Sequence, residues 1–407
     1  MSLQVDSALL RDFDLRNLPR AFYENPFPYY AALRATDPVK RMPDGSILLT
    51  RYRDIEYVYK NPKLFSSDKR IEFKQKFGDS PLFQHHTTSL VFNDPPLHTR
   101  VRRLILGALS QRHISAMEPG LVTLVDGLLD AMADKGRVDL IEDFAASIPI
   151  EIIGNLLGVP KRERGPLRGW SLAILGALEP VLTPQRAASG NAAVREMLAY
   201  LSGLVSARRA RPGDPDTDVL TRLIQGDQAD GERLTDNELL HQCIFLLNAG
   251  HETTTNLIGN GLRLLAEWPD QRARLLAEPE LIRTAVEEVL RIESSNQLGN
   301  RITTQDAVVG GVALPPDSRI TLCIGAANRD PAQFPDPDRL DLAREPNRHL
   351  AFAHGIHTCA GMNLARLEAR VALSRFLARF PDYALDGEPT RGGRARFRGF
   401  LHLPARV

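Results

Sequence analysis

A single long helix near the middle of the chain constrains the fold more than any other feature of the sequence. Thr235 has the position of a helix N-cap, and Glu238 follows three residues later, as in a capping box. The helical pattern then continues for roughly thirty residues to Trp268, where Pro269 ends it. A helix of this length spans a whole protein, so we expect the other elements to pack around it.

Helical periodicity dominates much of the remaining chain, while short strand patterns occupy its flanks. Amphipathic segments lie near residues 97–109, 115–134, 142–157, 187–210 and 280–293. Short strands are predicted at 46–52, 308–312 and 319–324, and a last helix starts near Cys359 and ends before Pro381. These patterns predict one mainly α domain with small β-sheets over residues 1–407. Its helix-rich core covers about 93–293 and 359–380, and its β-rich parts cover about 40–60, 300–325 and 385–407.

The charge balance and the cysteine content exclude several classes of protein. The 407 residues include 51 basic and 50 acidic ones, a net charge of +1, which argues against a nucleic-acid-binding protein. Three cysteines do not form a disulfide framework, and we interpret Cys243 and Cys323 as core residues. No window approaches the ~18 apolar residues of a membrane span, and the N-terminus lacks a signal-peptide pattern. We therefore expect a soluble cytoplasmic protein with no nucleic-acid or membrane partner.

The segment from Phe352 to Gly361 contains the residues best suited to hold a redox group. Cys359 follows a glycine-containing loop and precedes a helix, whose free N–H groups would favour the thiolate. The glycines, Gly355 among them, permit unusual backbone angles and the close approach of a flat ligand. His357 can pair with a negative group. For an isolated cysteine, the alternative is a buried and inert thiol.

A second chemical motif lies in the middle of the long helix, from Ala249 to Thr254. Cleavage of dioxygen consumes two protons, and an acid followed by an alcohol, here Glu252 and Thr253, can deliver them. Gly250 is unfavourable inside a helix, which suggests that the helix is loosened there to leave room for oxygen. In the alternative interpretation, the threonines bond back to carbonyls one turn earlier and bend the helix. A zinc-binding His-Glu-x-x-His helix is excluded, because threonine occupies the position of the second histidine.

Together these motifs resemble those of the cytochrome P450 family. The cysteine segment is similar to the family's haem-binding loop, Phe-Gly-x-Gly-x-His-x-Cys-x-Gly, which is matched at Phe352, Gly355, His357, Cys359 and Gly361. It departs at Ala353, where the family usually has glycine, a small change that concerns loop geometry rather than ligation. The resemblance implies the cytochrome P450 fold, with haem b between the long helix and the cysteine loop and with Cys359 as the iron ligand.

The helix motif is similar to the family's Ala/Gly-Gly-x-Asp/Glu-Thr-Thr segment. By this resemblance Ala249 and Gly250 lie against the haem, Glu252 is the acid, and Thr253 is the alcohol that assists oxygen activation. The implied reaction is R–H + O2 + 2e− + 2H+ → R–OH + H2O, and demethylation or epoxidation would use the same chemistry.

Further polar residues match supporting positions of the family. Glu288 and Arg291 stand three apart on a helix and resemble the buried Glu-x-x-Arg pair behind the cysteine loop. A third partner is expected downstream, with Arg339 and His349 as candidates. A surface ion pair is the ordinary alternative.

Haem propionates carry two negative charges and need cationic partners. His98 and Arg102 resemble the family's His-x-x-x-Arg variant, and Arg301 stands where a third propionate partner would. His357 completes the expected set. For any one of these residues, a solvated charge is the alternative.

The resemblance also implies separate redox partners. Electrons are expected from a 2Fe-2S ferredoxin with an NAD(P)H-dependent reductase, because the length leaves no room for a fused flavin reductase. The ferredoxin would dock on the cysteine side, on a basic patch of Arg100, Arg103, Arg112 and Arg366. Ordinary surface charge is the alternative for these arginines. We expect a monomer.

The pocket for a small organic substrate is expected above the haem, in segments near 70–92, 168–182, 244–253, 294–298 and 398–401. The residues singled out there are Phe245, Ser294, Ser295, Asn296, Gln297 and Phe400. The first segment is rich in basic residues, which suggests a substrate with an oxygen function, such as a small aromatic or terpenoid acid. These residues are Arg70, Lys74, Lys76, His85 and His86. Alternatively, the basic residues face water and the polar ones bond to the backbone.

Two other functions remain open at this point. A peroxide-driven haem-thiolate enzyme would need no ferredoxin, but such enzymes commonly lack the acid–alcohol pair. A haem-thiolate sensor or binding protein would need Cys359 but neither Glu252 nor Thr253. It would normally carry an output domain, and the sequence has no sign of one.

Overall fold

The computed structural model describes residues 10–215, 218–226 and 233–407, and α-helices form most of this part of the chain. The helices are α1 (Arg20–Glu24), α2 (Phe27–Thr36), α3 (Tyr52–Lys60), α4 (Arg70–Phe77), α5 (Pro81–Thr88), α6 (Leu97–Ala108), α7 (Gln111–Ala133), α8 (Ser147–Leu156), α9 (Gly165–Gly176), α10 (Pro184–Ala210), α11 (Val219–Gln225), α12 (Asp236–Glu267), α13 (Pro269–Ala277), α14 (Ile282–Ile292), α15 (Ile324–Ala327) and α16 (Met362–Arg379). Single 3-10 turns cover Leu90–Phe92, Lys161–Glu163, Pro279–Leu281 and Gly355–His357, and a π-helix covers Leu140–Ala145.

The strands are short and lie at the edge of the helical body. They are β1 (Val39–Arg41), β2 (Ile47–Leu49), β3 (Phe65–Ser66), β4 (Arg137–Asp139), β5 (Leu298–Thr303), β6 (Ala307–Val309), β7 (Val312–Leu314), β8 (Arg319–Cys323), β9 (Ala384–Leu385) and β10 (Pro404–Arg406). One sheet has the order β1-β2-β8-β5-β3, with only the β2–β8 pair parallel, and a second has the order β4-β10-β9. The mainly α fold with small sheets is confirmed.

The predicted long helix is confirmed as α12, and it passes through the main hydrophobic core. Both halves of the capping box form: the Glu238 N–H donates to Thr235 Oγ1 over 3.2 Å, and the Thr235 N–H donates to Glu238 Oε2 over 2.8 Å. Most side chains of α12 are buried, including polar ones that a surface helix would expose. The polar residues of α12 are therefore candidates for chemistry rather than for solvation.

The described helices do not include a candidate membrane span. Among the residues that the structure describes, no helix combines the length and the apolar character required to span a bilayer.

Two predictions about element ends are wrong. Residues 308–312 do not form one strand. Residues 308–309 end β6 and Val312 begins β7, because Gly310 and Gly311 reverse the chain between them with φ angles of 58° and 85°. The last helix, α16, begins at Met362 and not near Cys359. The cysteine therefore belongs to the loop that precedes the helix, and the loop backbone decides its environment.

Candidate active site

The cysteine loop adopts an unusual backbone conformation. Gly355 has a φ of 70°, and a side chain there would lie 2.5 Å from the carbonyl oxygen of Tyr59. Ala353 has a φ of 56°, a region that residues other than glycine rarely occupy. The N–H of Cys359 donates to the carbonyl of Phe352 over 2.9 Å and closes the loop. Alanine in place of the family's glycine therefore adds local strain, but the loop still closes around the cysteine.

The Cys359 side chain is accessible to solvent even though protein atoms surround it closely. Burial raises the pKa of its thiol, while the N–H of Gly361 and the guanidinium groups of Arg102 and Arg366 lower it. An accessible sulfur inside dense protein can be reached by a ligand that enters the fold. The other two cysteines are fully buried, and burial raises the pKa of both thiols to about 12, which confirms them as core residues.

Four basic side chains cluster beside the cysteine loop: His98, Arg102, Arg301 and His357. The rings of His98 and His357 lie 4.2 Å apart between centroids. Both ring nitrogens of His98, and Nε2 of His357, are buried without a hydrogen-bond partner in the described ranges. Arg102 and Arg301 donate to backbone carbonyls over 2.6 and 2.7 Å, and neither forms an ion pair with a described carboxylate. The fold thus brings together the whole set predicted from the sequence.

The electrostatics of this basic cluster fit a doubly negative ligand. Burial, assisted by Arg102, lowers the pKa of His98 to about 4. Burial, assisted by Arg301, lowers the pKa of His357 to about 2. Buried donors that repel one another are unfavourable unless an anion binds among them. The cluster therefore suits the two propionates of a haem whose iron reaches Cys359.

Glu288 is the centre of a buried network behind the cysteine loop. Its carboxylate accepts two hydrogen bonds of 2.8 Å from Arg291, and both side chains are fully buried. The third partner is Arg344, whose Nε lies 3.1 and 3.2 Å from the two carboxylate oxygens. Asn347 donates a further hydrogen bond of 3.0 Å. The network fixes α14 to the irregular chain that leads to the cysteine.

Both candidates for the third partner are therefore wrong. Arg339 contributes only its carbonyl, which accepts a hydrogen bond of 3.2 Å from Arg291. His349 bonds instead to Glu287 over 3.1 Å, because adjacent residues of a helix face different directions. Arg344 lies in irregular chain, where no periodicity indicates which side chain turns inward.

A second ion pair holds the cysteine loop, and sequence reasoning missed it. Arg366, on α16, pairs with Glu287 through two hydrogen bonds of 2.7 and 2.8 Å. The same guanidinium stacks on the ring of Phe352 at 4.8 Å from its centroid. Arg366 therefore supports the loop and is not an available member of a basic docking patch. Phe352 packs against this guanidinium, whereas its expected contact with the cofactor stays a prediction.

The acid–alcohol motif lies on an unbroken part of α12. Thr253 Oγ1 donates to the carbonyl of Ala249 over 2.7 Å, which is the back-bonding geometry of the alternative interpretation. The helix is not loosened at Gly250. A side chain at Gly250 would lie 3.1 Å from Ile153, so glycine allows α8 to pack closely against α12. The expectation of a loosened helix is wrong, because the missing side chain faces a neighbouring helix.

Glu252 is fully buried and forms an ion pair with Arg394, from the C-terminal part of the chain. Burial raises the pKa of Glu252 to about 7, although Arg394 opposes the rise. A carboxyl group with a pKa near neutrality is suited to take up and release protons. Arg394 follows two glycines in irregular chain, and no sequence signal connects it with Glu252.

Three of the predicted pocket residues make contacts that stabilise the fold. Ser294 Oγ donates to the carbonyl of Leu290 over 2.8 Å, and Gln297 Nε2 donates to the carbonyl of Ser294 over 2.7 Å. Phe400 is buried in the main core, with Arg391 stacked 4.0 Å from its centroid. These bonds satisfy the backbone of a buried turn, but Oε1 of Gln297 is buried without a hydrogen-bond partner among the described residues. The pocket assignment of Ser294, Gln297 and Phe400 therefore stays a prediction.

The other predicted pocket residues are compatible with ligand contact. Ser295 Oγ and Asn296 Oδ1 are buried without a hydrogen-bond partner among the described residues. Phe245, on α12, is only half-buried.

Sequence reasoning named the pocket segments near 70–92 and 168–182, but not the apolar cluster that their side chains form with Phe397. This roof cluster consists of Phe73, Phe77, Phe83, Phe92, Leu175, Leu178 and Phe397. The ring of His86 packs against three of its phenylalanines at centroid distances of 5.4, 5.6 and 5.7 Å, and His86 Nε2 is buried without a described partner. Sites for organic ligands combine apolar walls with a few polar atoms in this manner.

The basic residues suggested to recognise an acid do not form a cationic site. Arg70 pairs with Asp68 at 3.1 Å, Lys74 pairs with Asp79, and Arg70 and Lys74 are exposed. Lys76 donates to a backbone carbonyl over 2.7 Å. The two histidines of this segment are buried, and burial lowers the pKa of both. The alternative, in which Arg70 and Lys74 face water, is confirmed.

Comparisons with known proteins agree with this geometry. Residues 174–382 match the family model described as Cytochrome P450. The chain is 40% identical over 368 residues to the vitamin D(3) 25-hydroxylase of Pseudonocardia autotrophica, which covers 89% of this chain and 88% of that protein. It is 36% identical over 400 residues to the 6-deoxyerythronolide B hydroxylase of Saccharopolyspora erythraea, with coverages of 95% and 97%.

A solved structure is similar over nearly the whole chain. It is the crystal structure of P450BioI in complex with an acyl carrier protein ligated to hexadec-9Z-enoic acid, with a TM-score of 0.90 and 33% sequence identity. The match covers 96% of this chain and 100% of that chain. Family members bind haem b, which fits the accessible Cys359 and the basic cluster with no acidic partner among the described residues. This chain therefore belongs to the cytochrome P450 family, whose members are oxidoreductases that incorporate oxygen from O2.

Proposed function

We propose that this protein inserts one oxygen atom from O2 into an apolar organic substrate, with electrons from a separate ferredoxin and its NAD(P)H-dependent reductase. Hydroxylation is the expected reaction, with O-demethylation or epoxidation where the substrate offers those groups. The observation that carries the proposal is the accessible Cys359 sulfur beside four basic side chains, none of which forms an ion pair with a described carboxylate. This arrangement supports thiolate ligation of a haem on one side of α12.

The proposed mechanism assigns one task to each group of residues. A haem held by Cys359 would supply an iron centre for dioxygen activation, and the thiolate ligand would donate electron density to it. The four basic side chains would hold the propionates and so position the haem beside Cys359. Glu252 takes up protons from outside the site, and Thr253 passes them on when its hydroxyl leaves the Ala249 carbonyl. The balance is R–H + O2 + 2e− + 2H+ → R–OH + H2O.

The first test concerns the thiolate. The reduced protein with carbon monoxide should show an absorption maximum near about 450 nm, and Cys359→His should lose it. Cys243→Ala, in which a core thiol is removed, should keep the maximum. A wild-type protein that contains haem but lacks this maximum would contradict thiolate ligation.

The second test separates the monooxygenase from its alternatives. Turnover with ferredoxin, reductase and NAD(P)H should exceed turnover with hydrogen peroxide, and Thr253→Ala should consume electrons without matching product. Unchanged product per electron in Thr253→Ala would contradict the role of the alcohol. Efficient peroxide turnover without ferredoxin would favour the peroxide-driven enzyme. Substrate binding with neither activity would favour a sensor.

We infer that the ferredoxin docks near the exposed Arg112, on the cysteine side. Arg100 pairs with Glu238, and Arg366 pairs with Glu287 beside the cysteine loop, so neither arginine is available to pair with the ferredoxin. Arg112→Glu should raise the KM for ferredoxin about tenfold and leave substrate binding unchanged, since charge reversal at a rim acts on association. Arg379→Glu, at an exposed arginine on α16, is the matched control. An unchanged KM would remove Arg112 from the docking surface.

We further propose that the substrate is largely apolar and carries a hydroxyl or carbonyl oxygen that contacts His86. The roof cluster supplies apolar walls, and the unpartnered Nε2 of the uncharged His86 supplies one polar contact. The names of two relatives, a vitamin D(3) 25-hydroxylase and a 6-deoxyerythronolide B hydroxylase, support hydroxylation of an organic substrate. Binding can be followed by the Soret band, which should move to shorter wavelength when a ligand displaces iron-bound water. His86→Phe should weaken the binding of an oxygenated ligand about tenfold and leave the binding of its hydrocarbon analogue unchanged. Equal weakening of both would contradict the contact.

A further inference from the structure

Glu252 lies between charges of opposite sign that come from distant parts of the chain. Arg394 pairs with it directly, and the two side chains are only 12% and 2% exposed. Glu179, which follows α9, raises the pKa of Glu252, whereas Arg168, on α9, lowers it. The neighbouring His251 is buried and uncharged, because burial lowers its pKa to about 3.

The segment that carries Arg394 is anchored by the same Glu179. One oxygen of the Glu179 carboxylate accepts hydrogen bonds from the N–H groups of Ala395 and Arg396, over 2.8 and 3.1 Å. The next residue, Phe397, belongs to the roof cluster. We name residues 394–398 the C-terminal strap. The strap thus connects the acid of α12 with the apolar region where the substrate is proposed to bind.

We propose that Arg394 is a positioning residue for Glu252, which it holds by an ion pair from the C-terminal strap, and that Arg394 and Glu179 together control proton delivery by Glu252. The inference rests on the proposed function, in which Glu252 delivers the two protons that oxygen cleavage consumes. A protonated Glu252 is the donor, and the pair with Arg394 favours its ionised form. Glu179 favours the protonated form through its like charge.

The sign of each effect can be tested separately. Product per NAD(P)H should fall as the pH rises through the pKa of Glu252, about 7 in the wild type. Arg394→Gln removes the favourable cation, so the fall should move to higher pH by about one to three units. Arg394→Lys keeps the charge and should keep the wild-type profile. Glu179→Gln keeps an acceptor for the strap but removes the like charge, so the fall in product per NAD(P)H should move to lower pH in this variant.

A spectroscopic measurement tests the same inference without turnover. The infrared band of the protonated Glu252 carboxyl, assigned by its loss in Glu252→Gln, should titrate with the same order of midpoints in the resting protein: Glu179→Gln lowest, wild type intermediate, Arg394→Gln highest. Arg379→Gln, with its exposed side chain, is the control and should match the wild type. Thermal unfolding of each variant establishes that it is folded.

Opposite shifts in the two charge variants would support the inference, since general damage to the fold does not move a midpoint in two directions. Shifts in the same direction, or none, would overturn it. If the midpoints shift as expected but the protein forms no product with ferredoxin, the ion-pair control stands and the proposed function fails. If product forms but the midpoints do not move, the proposed function stands and the inference fails.

Discussion

The cysteine side and the α12 side of the site differ in how completely their buried polar groups are paired. Behind the cysteine loop, Glu288 receives hydrogen bonds from three side chains. On the α12 side, both ring nitrogens of His251, both amide atoms of Asn248 and Nε2 of His86 are buried with no described partner. Because buried polar groups are nearly always paired, the cysteine side is a completed support, whereas the α12 side keeps groups that a ligand can satisfy.

The largest effect is expected when the completed side is broken. Glu288→Ala leaves Arg291 and Arg344 buried without their carboxylate, so the free energy of unfolding should fall by about 3–5 kcal/mol. Urea unfolding measures this change. Glu267→Ala removes an exposed ion pair on α12 and should change stability by less than about 1 kcal/mol. A Glu288 variant as stable as the Glu267 variant would remove the distinction between the two sides.

Glu368, on α16, is one exception on the cysteine side, in addition to the basic cluster. It is buried, one carboxylate oxygen has no described partner, and burial raises its pKa to about 8. Since the folded pKa exceeds the unfolded one, stability is full below about pH 4.5 and declines as the pH rises toward 8. Glu368→Gln removes this decline and should be more stable than the wild type at pH 8, by about 4 kcal/mol. Parallel stability profiles of the two proteins between pH 5 and 8 would show that Glu368 is paired.

The basic cluster differs from the rest of the cysteine side, because we expect its buried polar groups to be paired only when the cofactor is bound. Arg102→Ala should weaken haem binding by about 1.5–3 kcal/mol, the contribution of one charge-assisted hydrogen bond. Haem transfer to an acceptor protein measures the loss. Arg112→Ala, at an exposed position in the first turn of α7, is the control. Equal haem retention in the two variants would exclude Arg102 as a propionate partner.

The smallest effect is expected at Ala353. Its φ of 56° suits glycine, so Ala353→Gly should relieve strain and raise the free energy of unfolding by up to about 1 kcal/mol. The absorption spectrum of the haem protein should not change, since the loop geometry is already formed. A loss of stability would mean that the methyl group makes contacts that outweigh its strain.

The sequence by itself determined the features that depend on residues close together in the chain. The capping box of α12, the Glu288–Arg291 pair and the closed loop around Cys359 are confirmed, and each joins residues within about seven positions. Helix periodicity and turn chemistry are encoded at this range, because the interacting groups share one element or one loop. For this reason the motifs also indicated the fold and the cofactor.

Only the tertiary structure decided which distant side chains complete the site. Arg344 reaches Glu288 across 56 residues, Glu179 holds the C-terminal strap across more than 200, and Arg394 meets Glu252 from the end of the chain. The roof cluster likewise joins side chains that lie as far apart in the chain as Phe73 and Phe397. Such contacts arise from how helices and irregular segments pack, and no periodic pattern records which of many charged residues turns inward. The physical reason is that pairing of buried charges is decided by burial, which a linear sequence does not specify.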